Sequence, residues 1–151
     1  MSKPLRRADI VAAARSWRGT PYHHQASLRG VGCDCLGLVR GVWRDLYGRD
    51  AELPPPYSRD WAEARAEETL LAAAKRHLEP LASAGAAMPG DVLVFRIRDR
   101  AIAKHAGILV APDLMVHGQE GVGVVEVHLG RWWRRHVAGA FRFAGLTRED
   151  D

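Results

Sequence analysis

A chain of 151 residues can fold as one compact domain and leaves little length for a second. Apolar residues make up 47% of the chain, which is typical of a globular core and excludes wholesale disorder. The net charge of +4 and the pI near 9.5 are only mildly basic, so we expect no stable nucleic-acid binding. We predict a single domain over residues 1–151, with its core at about 8–145.

The first half of the chain predicts three helices. Residues 8–17 carry apolar side chains at helical spacing, and the Gly-Thr-Pro sequence at 19–21 ends this helix. A second helix begins after Asp34, a favourable N-cap residue, and stops at Gly48. Ser58 caps a third helix predicted over residues 59–78. The predicted buried side chains of the second helix are Leu36, Val39, Trp43 and Leu46, and those of the third are Trp61, Ala64, Leu71, Ala74 and Leu78.

The second half of the chain predicts strands. Alternating or short apolar runs occur at residues 92–97, 105–110, 114–117, 122–127 and 138–143. The tight turn at Pro112 and Asp113 joins two of these strands as a hairpin. Because helices come first and strands follow, the fold class is predicted as α+β, with N-terminal helices packed on a small, mostly antiparallel sheet.

Neither a membrane span nor a secretion signal is predicted. No stretch of about 18 apolar residues occurs in the sequence. The first seven residues are basic, but no apolar core follows before Asp9. We therefore expect synthesis in the cytoplasm without a signal peptide.

The two cysteines, Cys33 and Cys35, are separated by one residue. A disulfide between such close neighbours is strained, which excludes a secreted disulfide framework. Cys35 lies at a helix start, where free N–H groups and the helix dipole favour a thiolate. Gly37 costs about 1 kcal/mol relative to alanine inside a helix, which indicates that something approaches the helix closely there, such as another strand or a substrate. A buried, inert thiol is the usual role of an isolated cysteine.

Two histidines on the predicted hairpin change that interpretation of Cys35. His105 begins one strand and His117 ends its partner, and opposed side chains across a hairpin have Cβ atoms about 5 Å apart. An imidazole can hold a thiol as an ion pair, and a third polar group can orient the imidazole. The order of one cysteine and two histidines therefore indicates a cysteine peptidase. The remaining histidines, expected to be structural or exposed, are His23, His24, His77, His128 and His136.

Five motifs, taken in order, resemble those of the NlpC/P60 cysteine peptidases. They are Gly19-Thr20-Pro21-Tyr22, Gly32-Cys33-Asp34-Cys35-Leu36-Gly37-Leu38-Val39, Pro89-Gly90-Asp91-Val92-Leu93-Val94-Phe95, His105-Ala106-Gly107-Ile108 and His117-Gly118. Their order and spacing match from about residue 10 to residue 143. More narrowly, residues 22–27 together with 33–37 resemble the cell-wall peptidases of phage tails and of alphaproteobacterial gene transfer agents.

The resemblance implies a minimal papain-like fold that needs no cofactor or metal. It also implies hydrolysis of peptide bonds in peptidoglycan stem peptides, commonly the D-γ-glutamyl–diaminopimelate bond. In this chain Cys35 would be the nucleophile, His105 the base and His117 the orienting third member. Tyr22 matches a family tyrosine that helps to hold the site or the oxyanion. Tail-tip or hub proteins of a phage-like particle are the expected partners, and the protein would act at the target cell wall as part of the virion.

Other positions of the motif support or qualify this assignment. Asp34 matches the acidic residue before the nucleophile, and Gly37 belongs to the same motif, so both are candidates for site support or substrate binding. The chain departs from the family at Leu36, where many members have serine. It also has His23-His24-Gln25 in place of the usual Gly-Gly after the tyrosine. These departures affect the details of the substrate more than the triad.

Two alternative functions and the role of one surface stretch stay open from the sequence. The chain could be a structural tail-tip component that keeps the peptidase fold with little or no hydrolysis. Alternatively, two thiolates and two imidazoles suit tetrahedral zinc, which would make Cys33, Cys35, His105 and His117 the ligands of a binding module. The Arg131–Arg135 stretch mixes cations with tryptophans, and it is either a docking surface or a short helix whose tryptophans pack on the sheet.

Overall fold

The computed structural model describes residues 4–50, 67–96 and 103–146. Its helices are α1 (Arg7–Ser16), α2 (Cys35–Tyr47), α3 (Glu67–His77) and α4 (Arg131–Arg135). Its strands are β1 (Ser27–Leu28), β2 (Gly32–Cys33), β3 (Glu79–Pro80), β4 (Val92–Arg96), β5 (Ala103–Ala111), β6 (Leu114–Gln119), β7 (Gly123–His128) and β8 (Val137–Arg142). A short 3₁₀ turn spans Ala84–Ala86.

The first two helices form where the sequence predicts them. In α1, Ile10 and Ala14 are buried, and Trp17 at its end packs with them in the core. Helix α2 is capped by Asp34 and ends at Gly48, whose φ of 77° is the left-handed conformation that favours glycine at a helix C-terminus. Its predicted buried side was partly wrong. The fully buried positions are Cys35, Gly37, Leu38, Gly41, Val42 and Trp43, whereas Leu36, Val39 and Leu46 are only partly buried beside the core.

The buried side of α2 differs because Trp17, which follows α1, and the loop at Ala26 pack on the helix at two glycines. A Cβ on Gly41 would lie 2.1 Å from the Trp17 ring, so α1 rests directly on the α2 backbone. Since a missing side chain permits this contact, the buried side is centred on glycines that an apolar pattern does not reveal.

Helix α3 was predicted over residues 59–78, and residues 59–66 of that range, with Trp61 and Ala64, lie outside the described residues. The described part agrees with the prediction, because Leu71, Ala74 and Leu78 are all buried. They pack with β5 and β8, which places α3 on the same side of the sheet as the other two long helices.

The main sheet has six strands in the order β3-β8-β4-β5-β6-β7, and each pair of neighbours is antiparallel. This arrangement of helices and sheet confirms the predicted α+β class. All five predicted strands are present, although residue 97, predicted in the first of them, lies outside the described residues. Strand β3 and the separate β1–β2 hairpin were not predicted, since two-residue strands carry no measurable periodicity.

The sheet buries apolar side chains on both faces. On one face, side chains such as Val94, Ile108 and Val116 pack against the helices. The other face carries a smaller cluster made of Leu93, Phe95, Leu109, Met115, Leu129 and Ala140, against which Trp133 of α4 packs. The runs in β4 and β5 are therefore almost continuously apolar, as expected for strands covered on both sides.

A buried ion cluster joins the N-terminal helix to the sheet. The Asp91 side chain is fully buried, and it pairs with Arg7 at 3.1 Å and with Arg142 at 3.0 Å. The Met88 backbone N–H also donates to Asp91 Oδ2 at 2.9 Å. These contacts fix α1 and β8 against the turn that enters β4. Separately, none of the helices in the described ranges is both long and apolar enough to cross a bilayer.

Candidate active site

The start of α2 is organised by the Asp34 carboxylate. Its Oδ1 accepts a hydrogen bond from the Gly37 backbone N–H at 2.7 Å, the usual bond of an N-cap side chain. Its Oδ2 accepts from the Gln25 backbone N–H at 2.8 Å. The carboxylate thereby ties the loop before β1 to the helix start and places Cys35 at the first helical position.

Gly37 is required by a close backbone contact. A Cβ at this position would lie 1.9 Å from the carbonyl oxygen of Ala26, and the Ser27 hydroxyl donates to the Gly37 carbonyl at 2.7 Å. The prediction that something approaches the helix closely here is therefore confirmed. The approaching group is the chain's own loop, so the glycine permits close packing of that loop on α2.

Tyr22 is held beside the segment that leads into Cys35. It forms an isolated parallel bridge with Cys33, in which the Cys33 N–H donates to the Pro21 carbonyl at 3.0 Å and the His23 N–H donates to the Cys33 carbonyl at 3.1 Å. Tyr22 is half-buried. Its bridge partner, Cys33, is two positions before Cys35 in the sequence. The structure therefore brings Tyr22 into the neighbourhood of the thiol, and its role there stays a prediction.

His105 and His117, called the histidine pair below, are joined directly. Nε2 of His105 lies 2.8 Å from Nδ1 of His117, and the ring planes are nearly perpendicular. The sequence predicted that the hairpin would bring them together, and it does. In the observed register His117 is opposite Gly107, so the two histidines meet diagonally across β5 and β6.

Neighbours of both histidines contact the start of α2. The backbone of Ala106, next to His105, hydrogen-bonds to the Cys35 thiol. A Cβ on Gly118, next to His117, would lie 3.3 Å from both the carbonyl carbon of Asp34 and the nitrogen of Cys35. The backbones of strands β5 and β6 thus pack against the peptide that joins Asp34 to Cys35. The strand neighbours of both histidines, Ala106 and Gly118, therefore lie against the residue that begins α2.

The electrostatics of this region favour uncharged groups. Burial, and secondarily the nearby Asp34 carboxylate, raise the pKa of Cys35 to about 12, although backbone hydrogen bonds from Ala106 and Leu36 act in the opposite direction. Burial and the neighbouring His117 lower the pKa of His105 to about 3, and burial lowers the pKa of His117 to about 4. The acidic thiol expected from the helix start is therefore not found, because burial and the Asp34 carboxylate outweigh the backbone hydrogen bonds. Burial thus disfavours the charged form of the Cys35 thiol and of both imidazoles.

The family of this chain follows from comparison with known sequences. The model of the NlpC/P60 family matches residues 19–142, which include Tyr22, Cys35 and both members of the histidine pair. The chain belongs to the NlpC/P60 family.

Individual relatives agree with this assignment. The gamma-DL-glutamyl hydrolase of Bacillus subtilis (strain 168) is 26% identical over 139 residues, which cover 91% of this chain and 30% of that protein. Among solved structures, the NlpC/p60 domain of the peptidoglycan hydrolase SagA is similar with a TM-score of 0.63 at 23% identity, covering 92% of this chain and 100% of that one. NlpC1 from Trichomonas vaginalis gives 0.68 at 17% identity, covering 95% of this chain and 46% of that one. The chain thus has the NlpC/P60 fold and spans about 30% of the length of its curated relative.

Cys33 differs from Cys35 in its surroundings. Its side chain is fully buried in the core between the sheet and the helices, and burial raises its pKa to about 12. Both cysteines are free thiols. Among the described residues, no group of three or more histidine, cysteine, aspartate or glutamate side chains is arranged to hold a metal ion. The zinc hypothesis therefore gains no geometric support from this NlpC/P60 domain.

Trp133 is part of the site region although no role in it was predicted. Its ring stacks on His105 with centroids 5.7 Å apart, and it meets His117 nearly edge-on at 5.1 Å. Of the two interpretations of the Arg131–Arg135 stretch, this favours the short helix with a tryptophan packed on the sheet. In the sequence, only the tryptophan itself could have indicated this packing, since a five-residue helix is too short to show periodicity.

Proposed function

We propose that this NlpC/P60 protein is a cysteine peptidase that hydrolyses peptide bonds in peptidoglycan stem peptides. The observation that carries the proposal is that Ala106 and Gly118, the strand neighbours of the 2.8 Å histidine pair, contact Cys35 at the start of α2. A nucleophile, a base and a group that orients the base are the three parts required for acyl transfer through a thioester. Two similar proteins, a gamma-DL-glutamyl hydrolase and a peptidoglycan hydrolase, support a D-γ-glutamyl bond in peptidoglycan as the substrate.

The mechanism begins from the neutral pair. The bond to His117 uses Nε2 of His105 and leaves Nδ1 for the thiol. As the Cys35 sulfur attacks the scissile carbonyl carbon, His105 Nδ1 takes the thiol proton, so that charge develops only during attack. Backbone N–H groups at the helix start, with the Tyr22 hydroxyl, receive the oxyanion. His105 then donates its proton to the leaving amine, the C–N bond breaks, and water hydrolyses the thioester to release the acid and restore the thiol.

Defined muropeptides test this proposal. Purified protein is incubated with each peptide, and products are identified by mass spectrometry for wild type, Cys35→Ala and Cys33→Ala. We expect cleavage by wild type and by Cys33→Ala, and none by Cys35→Ala. The Cys33 variant is a matched control because it removes a buried thiol two residues away. Cleavage by Cys35→Ala at the parental rate would refute the assignment, and the product masses identify the scissile bond.

We also propose that the enzyme is delivered to its substrate on a phage-like tail. The support is the resemblance of residues 22–27 and 33–37 to tail and gene-transfer-agent peptidases. In this proposal the protein is made in the cytoplasm, binds tail-tip or hub proteins, and opens the cell wall for DNA delivery. Purified particles from producing cells should contain the chain at fixed stoichiometry to a tail protein. Particles assembled with Cys35→Ala should adsorb normally and deliver less DNA, whereas absence of the chain from particles would refute this role.

A second candidate function is a tail-tip component with little hydrolytic activity. The observation that favours it is the burial of Cys35, which is only 9% exposed and has a raised pKa. Zymography of free protein beside assembled particles separates the candidates. Activity of both supports the peptidase, activity of particles alone indicates a site that opens on assembly, and activity of neither supports the structural role.

A further inference from the structure

Trp133 covers the histidine pair from the face of the sheet opposite the long helices. Its ring plane lies 24° from that of His105 and 71° from that of His117. Phe95, which is paired with His105 in the β4–β5 register, meets the same indole at 5.0 Å. One half-buried tryptophan thus contacts both imidazoles and the fully buried aromatic ring beneath them.

The backbone that carries Trp133 is anchored on both sides. The Arg134 guanidinium donates to the carbonyls of Leu129 and Pro112, both at 3.1 Å. The Arg96 backbone N–H of β4 donates to the His136 carbonyl at 2.8 Å. These bonds hold α4 to the turn between β5 and β6 and to β4, so the indole has a fixed position above the histidines. A side chain supported in this way can restrict the orientation of its neighbours.

His117 gives a second indication of what the indole does. Its side chain is 2% exposed, and its Nε2 atom has no hydrogen-bond partner among the residues that the structure describes. A buried polar nitrogen without a partner is costly and would gain a hydrogen bond from water. Packing that keeps water away from this nitrogen therefore leaves the bond between His105 and His117 undisturbed. Trp133 provides such packing, because its ring contacts both histidines.

We propose that Trp133 is a positioning residue for the proposed hydrolysis: its indole keeps the histidine pair joined through His105 Nε2 and His117 Nδ1 and excludes water from both rings. This inference rests on the proposed function, because the pair is assigned there as base and orienting group. Trp133 itself acts through the histidines and not on the substrate. Trp132, its neighbour, is 51% exposed and stacks on His136 instead.

The surrounding charges give the expected direction of the pH effect. The titratable or charged side chains carried by the neighbouring segments include Tyr22, Asp34 and Cys35 near the start of α2, Arg96 of β4, Glu126 and His128 of β7, and Arg131, Arg134 and Arg135 of α4. Apart from the effect of His117 on His105, burial is what lowers the pKa of each member of the pair. Replacing the indole by a smaller side chain admits water, relieves that burial, and raises both pKa values toward 6.5.

The test compares Trp133→Leu with Trp133→Phe, and uses Trp43→Leu as the matched control. Trp43 is also a buried tryptophan. It packs on Tyr47, His77 and Phe143 on the helix side of the sheet, whereas Trp133 packs on the histidine pair. Histidine ring signals are followed by NMR over a pH series, and kcat and KM are measured over the same range. The NMR measurement needs no activity, so it tests Trp133 even if the proposed hydrolysis is not found.

We expect Trp133→Leu to raise the pKa of both histidines, move the acid limb of kcat/KM upward, and lower kcat by up to about 100-fold with little change in KM. Trp133→Phe, which keeps an aromatic ring, should recover part of each effect, and it provides the same test with smaller shifts if the leucine variant does not fold. Histidine pKa values and a pH profile that match those of Trp43→Leu would overturn the proposal. So would a raised KM at unchanged kcat, because that result would make Trp133 a substrate contact.

Discussion

Replacement of Asp34 should have opposite effects on stability and on the thiol. The carboxylate accepts backbone hydrogen bonds from Gly37 and Gln25, and it also raises the pKa of Cys35. Asp34→Asn keeps the shape and one acceptor oxygen but removes the charge. We therefore expect a less stable protein whose Cys35 is more acidic than in wild type.

The magnitude follows from the two bonds. Loss of an N-cap side chain costs about 1 kcal/mol, and a partly buried N–H left without an acceptor costs about 1–3 kcal/mol. Asp34→Ala loses both bonds and should lower the free energy of unfolding by about 2–4 kcal/mol, whereas Asp34→Asn should lose about 1–3 kcal/mol. Gln25 has a φ of 63°, a conformation that disfavours residues other than glycine, so its loop depends on this anchor. The Cys35 pKa should fall below about 12 but stay above the ordinary 9, because burial is the larger cause.

Urea unfolding measures the stability change, and the rate of thiol alkylation across the alkaline range measures the pKa. Cys33→Ala serves as the background so that one thiol reacts. Asp45→Asn is the matched control, because its carboxylate accepts a hydrogen bond from Trp17 Nε1 at 2.9 Å, farther along α2. It should lose stability without changing the alkylation profile.

Two results would refute this reasoning. Local opening accelerates alkylation at every pH, whereas a change in pKa moves the midpoint of the profile. An unmoved midpoint in Asp34→Asn would show that the carboxylate does not control the thiol. Unchanged unfolding of Asp34→Ala would show that the two backbone bonds do not hold the helix start.

Three further outcomes are expected. Asp91→Ala should destabilise the protein by about 3–5 kcal/mol in urea, because it leaves buried arginine charge without its partner; a loss below 1 kcal/mol would contradict this. As the pH falls from 6.5 toward about 4, the free energy of unfolding should decrease by up to about 1.4 kcal/mol per pH unit for each of His105 and His117. The reason is that the unfolded chain binds protons that the folded pair excludes. Urea midpoints that do not change over this range would disprove it. Gly37→Ala should lower the melting temperature despite a helix-propensity gain of about 1 kcal/mol, since its Cβ would meet the Ala26 oxygen at 1.9 Å, and an unchanged melting temperature would rule out that contact.

Much of the fold could be predicted because its signals are local. The N-cap at Asp34 and the left-handed stop at Gly48 depend on a few neighbouring residues, and both appear where predicted. The β5–β6 hairpin follows from one turn, which is why the meeting of His105 and His117 could be predicted without knowledge of the diagonal register. The assignment of catalytic roles to these residues stays a prediction.

Contacts between distant segments could not be predicted in the same way. Arg7 meets Asp91 across 84 positions of sequence, and neither residue carries a pattern that identifies the other. Trp133 reaches the histidines only because α4 is anchored to strands on both sides. Its neighbour Trp132 has the same local sequence context and remains half exposed. Local sequence rules give the two tryptophans equal weight, and only packing distinguishes them.

The protonation state of the site is the most instructive difference. A helix start lowers the pKa of a thiol when that thiol is exposed to solvent, and this rule predicts a thiolate at Cys35. In the structure the backbones of β5 and β6 close over the same position, and Asp34 adds a negative charge beside it. Both effects oppose the helix start and prevail, so the proposed mechanism requires that proton transfer to His105 accompany attack on the substrate. The site thus avoids a permanent buried ion pair, and its pH dependence should report the burial of the histidines more than the acidity of a free thiol.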